Sequence, residues 1–172
     1  MFEYDRTCYL GLGANKGDKI ENIKGAINAL GQKPGIAVQR HSSIYETEAI
    51  GVTRQPDFYN CAAEIKTAIE PHLLLKIVKN IENDLGREPG THMLPRPIDI
   101  DILLFGDLEL DSLDLMIPHS RLTRRAFVLV PLLELDNELV HPVTLRPLKE
   151  YLDQIKPPQK IQKVLDAGNL FQ

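Results

Sequence analysis

The chain has 172 residues, 43% hydrophobic and 26% charged, an ordinary composition for a soluble globular protein that buries one core. Its net charge of -4 argues against a broad nucleic-acid-binding surface, and its longest apolar run, residues 126–133, is too short to span a membrane. The sequence opens without a secretory signal pattern. Cys8 and Cys61 lie in apolar stretches without a partner at metal-ligand spacing, so we predict reduced thiols in a cytoplasmic protein.

Strand and helix patterns alternate in the first half of the chain. Residues 8–13 predict a strand, Asp18 predicts the N-terminal cap of a following helix, and residues 36–45 and 59–69 predict two further strands. The glycine-containing segment 11–17 lacks both common phosphate-loop patterns, so we interpret it as a turn.

The second half of the chain opens with a helix predicted over residues 71–86, and an apolar strand containing two aspartates follows it. The Gly-Asp pair at 106–107 predicts a hairpin turn into a strand over residues 108–111. Residues 126–135 and 148–155 predict two further helices.

This order of elements predicts an α+β fold with a ferredoxin-like βαββαβ core and extra C-terminal helices. We expect an antiparallel sheet with the helices of the core packed on one face, which leaves the other face or its loops for a ligand. Two long irregular connections, residues 46–57 and 87–97, are typical of functional loops.

The most informative segment runs from Pro95 to Phe105 and reads Pro-Arg-Pro-Ile-Asp-Ile-Asp-Ile-Leu-Leu-Phe. Because side chains alternate along a strand, Asp99 and Asp101 leave the same face. Two anions on an apolar strand repel each other, and Mg²⁺, which prefers carboxylate and phosphate oxygens, would relieve that repulsion. The pattern favours a phosphate enzyme. A pair that faces solvent or accepts backbone hydrogen bonds is the alternative.

Basic residues flank this segment on both sides in the sequence. Arg87 and Arg96 precede the aspartates and could clamp phosphoryl oxygens, although an arginine such as Arg87 is also favourable at a helix C-terminus. A second basic segment, Ile-Pro-His-Ser-Arg-Leu-Thr-Arg-Arg, contains His119 and Arg125 and indicates an anion site in an acidic chain. An exposed basic turn at the start of a helix is the alternative there.

A third group surrounds the loop at residues 46–57. Tyr45, Phe58, Tyr59 and Asn60 combine aromatic rings with an amide, which suits a flat heterocycle, although such aromatics also serve as ordinary core residues. On pattern alone, Glu82 on the second helix is a solvated surface charge.

Taken together, these segments resemble the 6-hydroxymethyl-7,8-dihydropterin pyrophosphokinases of folate biosynthesis. The resemblance extends from about residue 9 to residue 151. It is carried by Gly-Leu-Gly-Ala-Asn, Ser-Ile-Tyr-Glu-Thr, Gln-Pro-Asp-Phe-Tyr-Asn, Arg-Pro-Ile-Asp-Ile-Asp, Ile-Pro-His and Arg-Ala-Phe, in that order.

The resemblance implies transfer of the terminal diphosphate of ATP to the hydroxymethyl oxygen of the pterin, which leaves AMP. It assigns catalysis to Arg87, Arg96, Asp99 and Asp101, with the two aspartates holding two Mg²⁺ ions. It also implies two sets of binding residues. Those for ATP are Glu82, Arg87, Arg96, Ile102, His119 and Arg125, and those for the pterin are Thr47, Glu48, Ile50, Phe58, Asn60 and Phe127.

The resemblance further implies one domain over residues 1–172, with its core at about 8–151 and a tail at 152–172 that has no assigned role. We expect a monomer with two small-molecule substrates and without a nucleic-acid or membrane partner. The sequence departs from the family at residues 88–94, where Glu88-Pro89 replaces a second arginine and Met93-Leu94 stands where a tryptophan is found in well-known members.

Two alternatives follow from the same features. A ferredoxin-like domain can bind RNA, although the acidic charge and the lack of an aromatic RNA-binding strand signature argue against it here. A two-metal aspartate pair can also serve a nucleotidyl transferase or a phosphohydrolase, and the products would distinguish these from a pyrophosphokinase.

Overall fold

The computed structural model describes residues 6–49, 55–90 and 94–172. The strands are β1 (Arg6–Ala14), β2 (Ile36–His41), β3 (Ile44–Thr47), β4 (Phe58–Thr67), β5 (Asp99–Phe105), β6 (Leu110–Asp111), β7 (Met116–Ile117) and β8 (Ile161–Leu165). The helices are α1 (Lys19–Gly31), α2 (Pro71–Asp84), α3 (Ala126–Leu135) and α4 (Leu148–Gln154). Within the described ranges, none of these helices has the length and apolar character that a membrane crossing requires.

The main sheet is antiparallel and runs in the order β5-β1-β4, with β2 and β3 both paired to β4 and β8 paired to β3. This is the predicted ferredoxin-like βαββαβ order, and the α+β prediction is confirmed. The register places Gly13 of β1 opposite both Asp99 and Asn60, and Gly11 opposite both Asp101 and Ala62. Candidate site residues from three strands therefore lie side by side.

The core helices α1 and α2 cover one face of this sheet, as predicted, and the C-terminal helices α3 and α4 cover the other. Buried residues of α1 and α2, including Ile23 and Ile81, pack with Leu10 and Ile100 against one face. Residues of α3 and α4 pack against the opposite face with Leu103. The extra C-terminal helices therefore form a second layer, on the face that the prediction had left for a ligand.

The single strand predicted over residues 36–45 is wrong, because the chain breaks into β2 and β3 at Ser42 and Ser43. Ser42 Oγ accepts a hydrogen bond from the backbone N–H of Ala62 at 2.9 Å and donates one to the Ser43 carbonyl at 2.8 Å. A serine side chain that bonds the backbone locally competes with the strand ladder, which interrupts the regular pairing here.

The predicted hairpin from β5 into residues 108–111 is also wrong. The chain does turn at Gly106, which adopts a positive φ of 53°. However, β6 pairs with β7 in a separate two-stranded sheet instead of returning along β5. The turn between β6 and β7 is closed by a hydrogen bond from Ser112 N–H to the Leu115 carbonyl at 3.0 Å.

The C-terminal segment, which had no predicted role, adds a strand to the main sheet. Strand β8 pairs antiparallel with β3, and Ile161 stands opposite Thr47. Beyond β8, the N–H of Ala167 donates to Ser43 Oγ at 3.1 Å. The tail is thereby attached to the edge of the sheet that borders the loop at residues 48–57.

A polar contact joins α3 to β3 near that edge. The carboxylate of Glu134 accepts hydrogen bonds from the N–H and hydroxyl of Ser43, at 3.0 and 2.7 Å, and from the Tyr45 hydroxyl at 2.6 Å. Partial burial alone would raise the pKa of Glu134, but the hydrogen bonds from Tyr45 and Ser43 outweigh it and hold the pKa below its ordinary value.

Replacing Glu134 with glutamine is expected to lower the free energy of unfolding by about 1 kcal/mol at neutral pH, because a charged acceptor is lost at a partly exposed position. A carboxyl whose pKa is lower in the folded state stabilises the fold at any pH above its unfolded-state pKa. That stabilisation is lost as the pH falls through the folded-state pKa. The difference between the two proteins should therefore vanish in acid, below the ordinary value of 4.5.

Urea unfolding at neutral and acidic pH measures both effects. Glu138→Gln is the matched control, since that carboxylate is 77% exposed. A difference that does not depend on pH would contradict the role given to the Glu134 charge.

Candidate active site

The two aspartates of β5 lie at the end of the sheet that is not fully covered by α3. Ile100 and Ile102 point into the core beneath α1 and α2, whereas Asp99 and Asp101 line a cavity on the other face. The prediction that both carboxylates leave the same face is confirmed. The side chain of Ile102 lies in the core, so the predicted contact of this residue with a nucleotide would involve its backbone.

The cavity has a volume of about 550 Å³ and is enclosed by strands on one side and by the start of α3 on the other. Its floor is formed by Gly11 and Gly13 of β1. A Cβ atom at Gly13 would lie 3.1 Å from Asn60 Oδ1, so the absence of a side chain keeps this floor open. Further lining residues are Thr47, Glu48, Phe58, Asn60, Arg96, Asp99, Asp101, Arg121, Arg124, Arg125, Phe127 and Gln159.

Asp99 is held by both predicted arginines. One Nη of Arg87 donates to Asp99 Oδ1, while Nε and Nη2 of Arg96 donate to Asp99 Oδ2 at 3.2 and 3.1 Å. Burial alone would raise the pKa of Asp99, but the charges of Arg96 and Arg87 outweigh it and hold the pKa below its ordinary value. Asp99 is therefore ionised and neutralised by two guanidinium groups.

Asp101 lies two residues after Asp99 on β5 and lines the same cavity. Burial raises its pKa above the ordinary value, and the negative charge of Asp99 raises it further. The charges of Lys79 and Arg125 act in the opposite direction, as does that of His119 when its ring is protonated. A buried carboxylate in this situation is stabilised by an added cation.

Glu82 is not the solvated surface charge that its pattern predicted. Its carboxylate is 2% exposed and accepts hydrogen bonds from the N–H of Ile100 at 2.6 Å, Lys79 Nζ at 2.8 Å and Arg87 Nη1 at 2.7 Å. Burial raises the pKa of Glu82, although the charge of Lys79 opposes the shift. Glu82 therefore joins α2 to β5 and positions Arg87 beside Asp99.

Arg121, Arg124 and Arg125 form the opposite, basic side of the cavity, and His119 precedes them in the chain but is not among the described residues that line it. The backbone N–H of Arg121 donates to His119 Nδ1 at 3.1 Å, which places the proton of the neutral ring on Nε2. Burial lowers the pKa of His119 despite the charge of Asp101, so the neutral ring is favoured. The ring can therefore donate one hydrogen bond to an anion, next to the guanidinium of Arg125.

The predicted aromatic residues divide into two groups. Phe58 and Phe127 line the cavity, whereas Tyr45 bonds Glu134 and Tyr59 lies 3.9 Å beneath the ammonium of Lys19. The guanidinium of Arg96 stacks 5.0 Å above the Phe58 ring.

The amide of Asn60 lies on the same wall and donates to Thr47 Oγ1 at 2.7 Å, which leaves its oxygen for a ligand or for solvent. Glu48 is exposed at the rim of the cavity. The predicted contact Ile50 lies outside the described residues.

Asn15 is a site residue that sequence reasoning missed, because its loop was interpreted as a turn. It is 1% exposed, and its Oδ1 accepts from the N–H of Arg96 at 2.9 Å while its own N–H donates to the Arg96 carbonyl at 3.1 Å. Its amide nitrogen donates to Gln55 Oε1 and the Pro56 carbonyl, both at 3.2 Å. One side chain thus fastens the ends of both long loops to β1.

Comparison with known proteins identifies the family. Residues 9–137 match the family model of 7,8-dihydro-6-hydroxymethylpterin-pyrophosphokinase (HPPK). The chain belongs to the HPPK family. The cavity described above is built almost wholly from residues inside this matched region, and Gln159 is the exception.

Two relatives illustrate the range of HPPK chains. A 2-amino-4-hydroxy-6-hydroxymethyldihydropteridine pyrophosphokinase of Aquifex aeolicus is 39% identical over 160 residues, which cover 92% of this chain and 99% of that protein. A mitochondrial folate synthesis bifunctional protein of Arabidopsis thaliana is 42% identical over 141 residues, 79% of this chain and 25% of that protein. The chain thus spans about a quarter of the length of several bifunctional relatives that it matches.

A solved structure supports the fold. The chain superposes on Plasmodium falciparum HPPK-DHPS wild type with SDX-DHP at a TM-score of 0.67 and 18% identity, covering 87% of this chain and 43% of that one. Identity this low is evidence for the shared HPPK fold only.

Replacing Asn15 with alanine is expected to lower the free energy of unfolding of this HPPK by about 1–3 kcal/mol, because the buried N–H of Arg96 loses its acceptor. Asn15→Asp, compared at acidic pH where its carboxyl is protonated, keeps that acceptor and one donor, so a smaller loss is expected there. Urea unfolding measures both, with Asn137→Ala at an exposed turn as the control. Equal losses for the two Asn15 variants would contradict the assigned acceptor role.

Proposed function

We propose that this chain transfers the terminal diphosphate of ATP to the hydroxymethyl group of 6-hydroxymethyl-7,8-dihydropterin, giving AMP and the pterin diphosphate. The observation that carries the proposal is the arrangement of one cavity. It places a carboxylate pair and a cluster of cations beside two phenylalanine rings and a buried amide. Membership of the HPPK family supports the same reaction.

In the proposed complex, the pterin lies between the rings of Phe58 and Phe127, where a flat heterocycle stacks with little loss of side-chain entropy. The oxygen of Asn60 accepts from the amino or ring N–H groups of the pterin, while one of its two amide N–H groups stays bonded to Thr47. This orientation turns the hydroxymethyl group towards Asp99 and Asp101. Glu48 and Ile50 complete the proposed rim.

In the reaction, the hydroxymethyl oxygen forms a bond to the β-phosphorus of ATP as the bond from that phosphorus to the α-phosphate oxygen breaks. AMP leaves with the bridging oxygen, and the hydroxyl proton is released. Charge develops on the leaving phosphate oxygens, so fixed cations in a water-poor cavity are the groups that lower the barrier.

The carboxylate pair fits the Mg²⁺ ions that the resemblance implies. Carboxylates are hard oxygen donors, and Mg²⁺ is ordinarily held by one or two of them together with substrate phosphates and water. Among the described residues there is no cluster of three or more acidic, histidine or cysteine ligands, so the phosphates are needed to complete such a site. When bound, two Mg²⁺ ions on Asp99 and Asp101 would neutralise the triphosphate and make the attacking hydroxyl more acidic.

The arginines have a proposed second position. Arg87 and Arg96 both pair with Asp99 in the structure described here. With Mg²⁺ held by Asp99, their guanidinium groups would bind the phosphate oxygens of ATP. Glu82 keeps Arg87 close to the site throughout, because its carboxylate is itself buried and bonded to β5.

His119 and Arg125 complete the proposed nucleotide contacts. The Nε2 proton of His119 donates to a phosphate oxygen, and Arg125 adds a second cation on the same side. A monomeric state, a single domain over residues 1–172 and a cytoplasmic location remain predictions from the sequence.

Phosphorus NMR of the protein mixed with ATP, Mg²⁺ and 6-hydroxymethyl-7,8-dihydropterin tests the proposal. AMP together with a pterin diphosphate is the expected outcome, and chelation of Mg²⁺ should prevent it. Inorganic diphosphate with a nucleotidylated pterin would indicate a nucleotidyl transferase, and inorganic phosphate would indicate a phosphohydrolase. Either result would overturn the proposed reaction.

Asp101→Asn is expected to reduce turnover by at least about 100-fold, because one of the two carboxylates proposed to hold Mg²⁺ beside the triphosphate is lost. It should not lower the free energy of unfolding, since the ionised carboxylate is unfavourable where burial and Asp99 raise its pKa. Steady-state rates and urea unfolding separate the two effects, with Asp111→Asn on the exposed strand β6 as control. Near-normal turnover in Asp101→Asn would rule out its role in catalysis.

A further inference from the structure

The C-terminal segment reaches the cavity through one side chain. Gln159 lies two residues before β8 and lines the cavity beside Phe127 and Thr47. The HPPK family model ends at residue 137, so this contact comes from outside the matched region.

Gln159 supplies a missing cap to α3. The residue that precedes the helix, Arg125, has an extended backbone with a φ of -124° and makes no capping hydrogen bond with its side chain. Instead, Gln159 Oε1 accepts from the backbone N–H of Ala126 at 3.0 Å. The first N–H groups of a helix have no partner inside it, so an external acceptor orders the first turn.

That first turn carries the ring proposed to cover the pterin. Phe127 is the second residue of α3, directly after the capped Ala126. A second bond holds the other end of the helix, because Ala167 of the tail donates to Ser43 Oγ and Ser43 donates to Glu134. The tail therefore fixes α3 at both ends while β8 holds the opposite wall at Thr47.

We infer that Gln159 is a positioning residue for the pterin side of the active site: its side-chain oxygen holds the first turn of α3, and with it Phe127, at a fixed distance from β3. The inference rests on the proposed function, because it assigns the cavity between Phe58 and Phe127 to the pterin. Gln159 makes no contact with the reacting phosphate in this scheme. Its effect is to keep the binding-competent position of Phe127 populated before the substrate arrives.

The test compares three variants by steady-state kinetics with ATP and 6-hydroxymethyl-7,8-dihydropterin. Gln159→Met keeps the length of the side chain and removes the acceptor, so the KM for the pterin should rise about fivefold, the effect of one ordinary hydrogen bond. The kcat should change much less than the KM, because Asp99 and Asp101 lie on β5 and not on the first turn of α3. Gln159→Glu retains an acceptor oxygen and should restore the wild-type KM.

Gln162→Met is the matched control, since Gln162 is an exposed residue of β8 on the same segment. Hydrogen exchange of the Ala126 amide provides a readout that does not depend on activity, and it should be faster in Gln159→Met only. A normal KM in Gln159→Met, or an equal defect in Gln159→Glu, would overturn the inference alone. A wild-type protein that neither binds nor converts the pterin would overturn the proposed function and the inference with it.

Discussion

The candidate site depends on how three carboxylates, of which Glu82 is almost fully buried, are balanced by cations at the end of one strand. Glu82, Asp99 and Asp101 lie on or beside β5, and each ionised group would be unstable there alone. Arg87 joins the first two, so its position is fixed by charge on both sides. Of the three, the charge of Asp101 is compensated least by nearby cations. We therefore expect an added cation to stabilise Asp101 most.

The pairing of strands in the sheet gives the site around these charges a defined shape. Antiparallel pairing sets Asp99, Gly13 and Asn60 in one row across three strands, so the acidic groups and the amide stay at a fixed separation. The glycine between them leaves room for a ligand. Helix α3, which carries Phe127, closes the other side of the cavity. Its position depends on hydrogen bonds at both of its ends, with Gln159 at the first and with Ser43 at the second.

Much of the fold could be predicted from the sequence, because period-two and period-3.6 patterns report burial directly. The alternation around Asp99 and Asp101 correctly gave the shared face of the two carboxylates. Ser42 and the burial of Glu82 could not be predicted in this way. Both depend on partners distant in sequence: Ala62 for the serine, and Ile100 for the glutamate. Asn15 and Gln159 belong to the same class, since an amide in a loop carries no periodic signal.

The attachment of β8 to β3 also affects how the protein behaves in solution. An uncovered strand edge presents unpaired N–H and C=O groups that can pair with the edge of another molecule. Strand β8 covers the edge of β3, and it is short and carries Lys163, which forms an ion pair with Asp166. Short, charged edge strands discourage pairing between molecules. The segment that completes one wall of the cavity therefore also protects the sheet against aggregation.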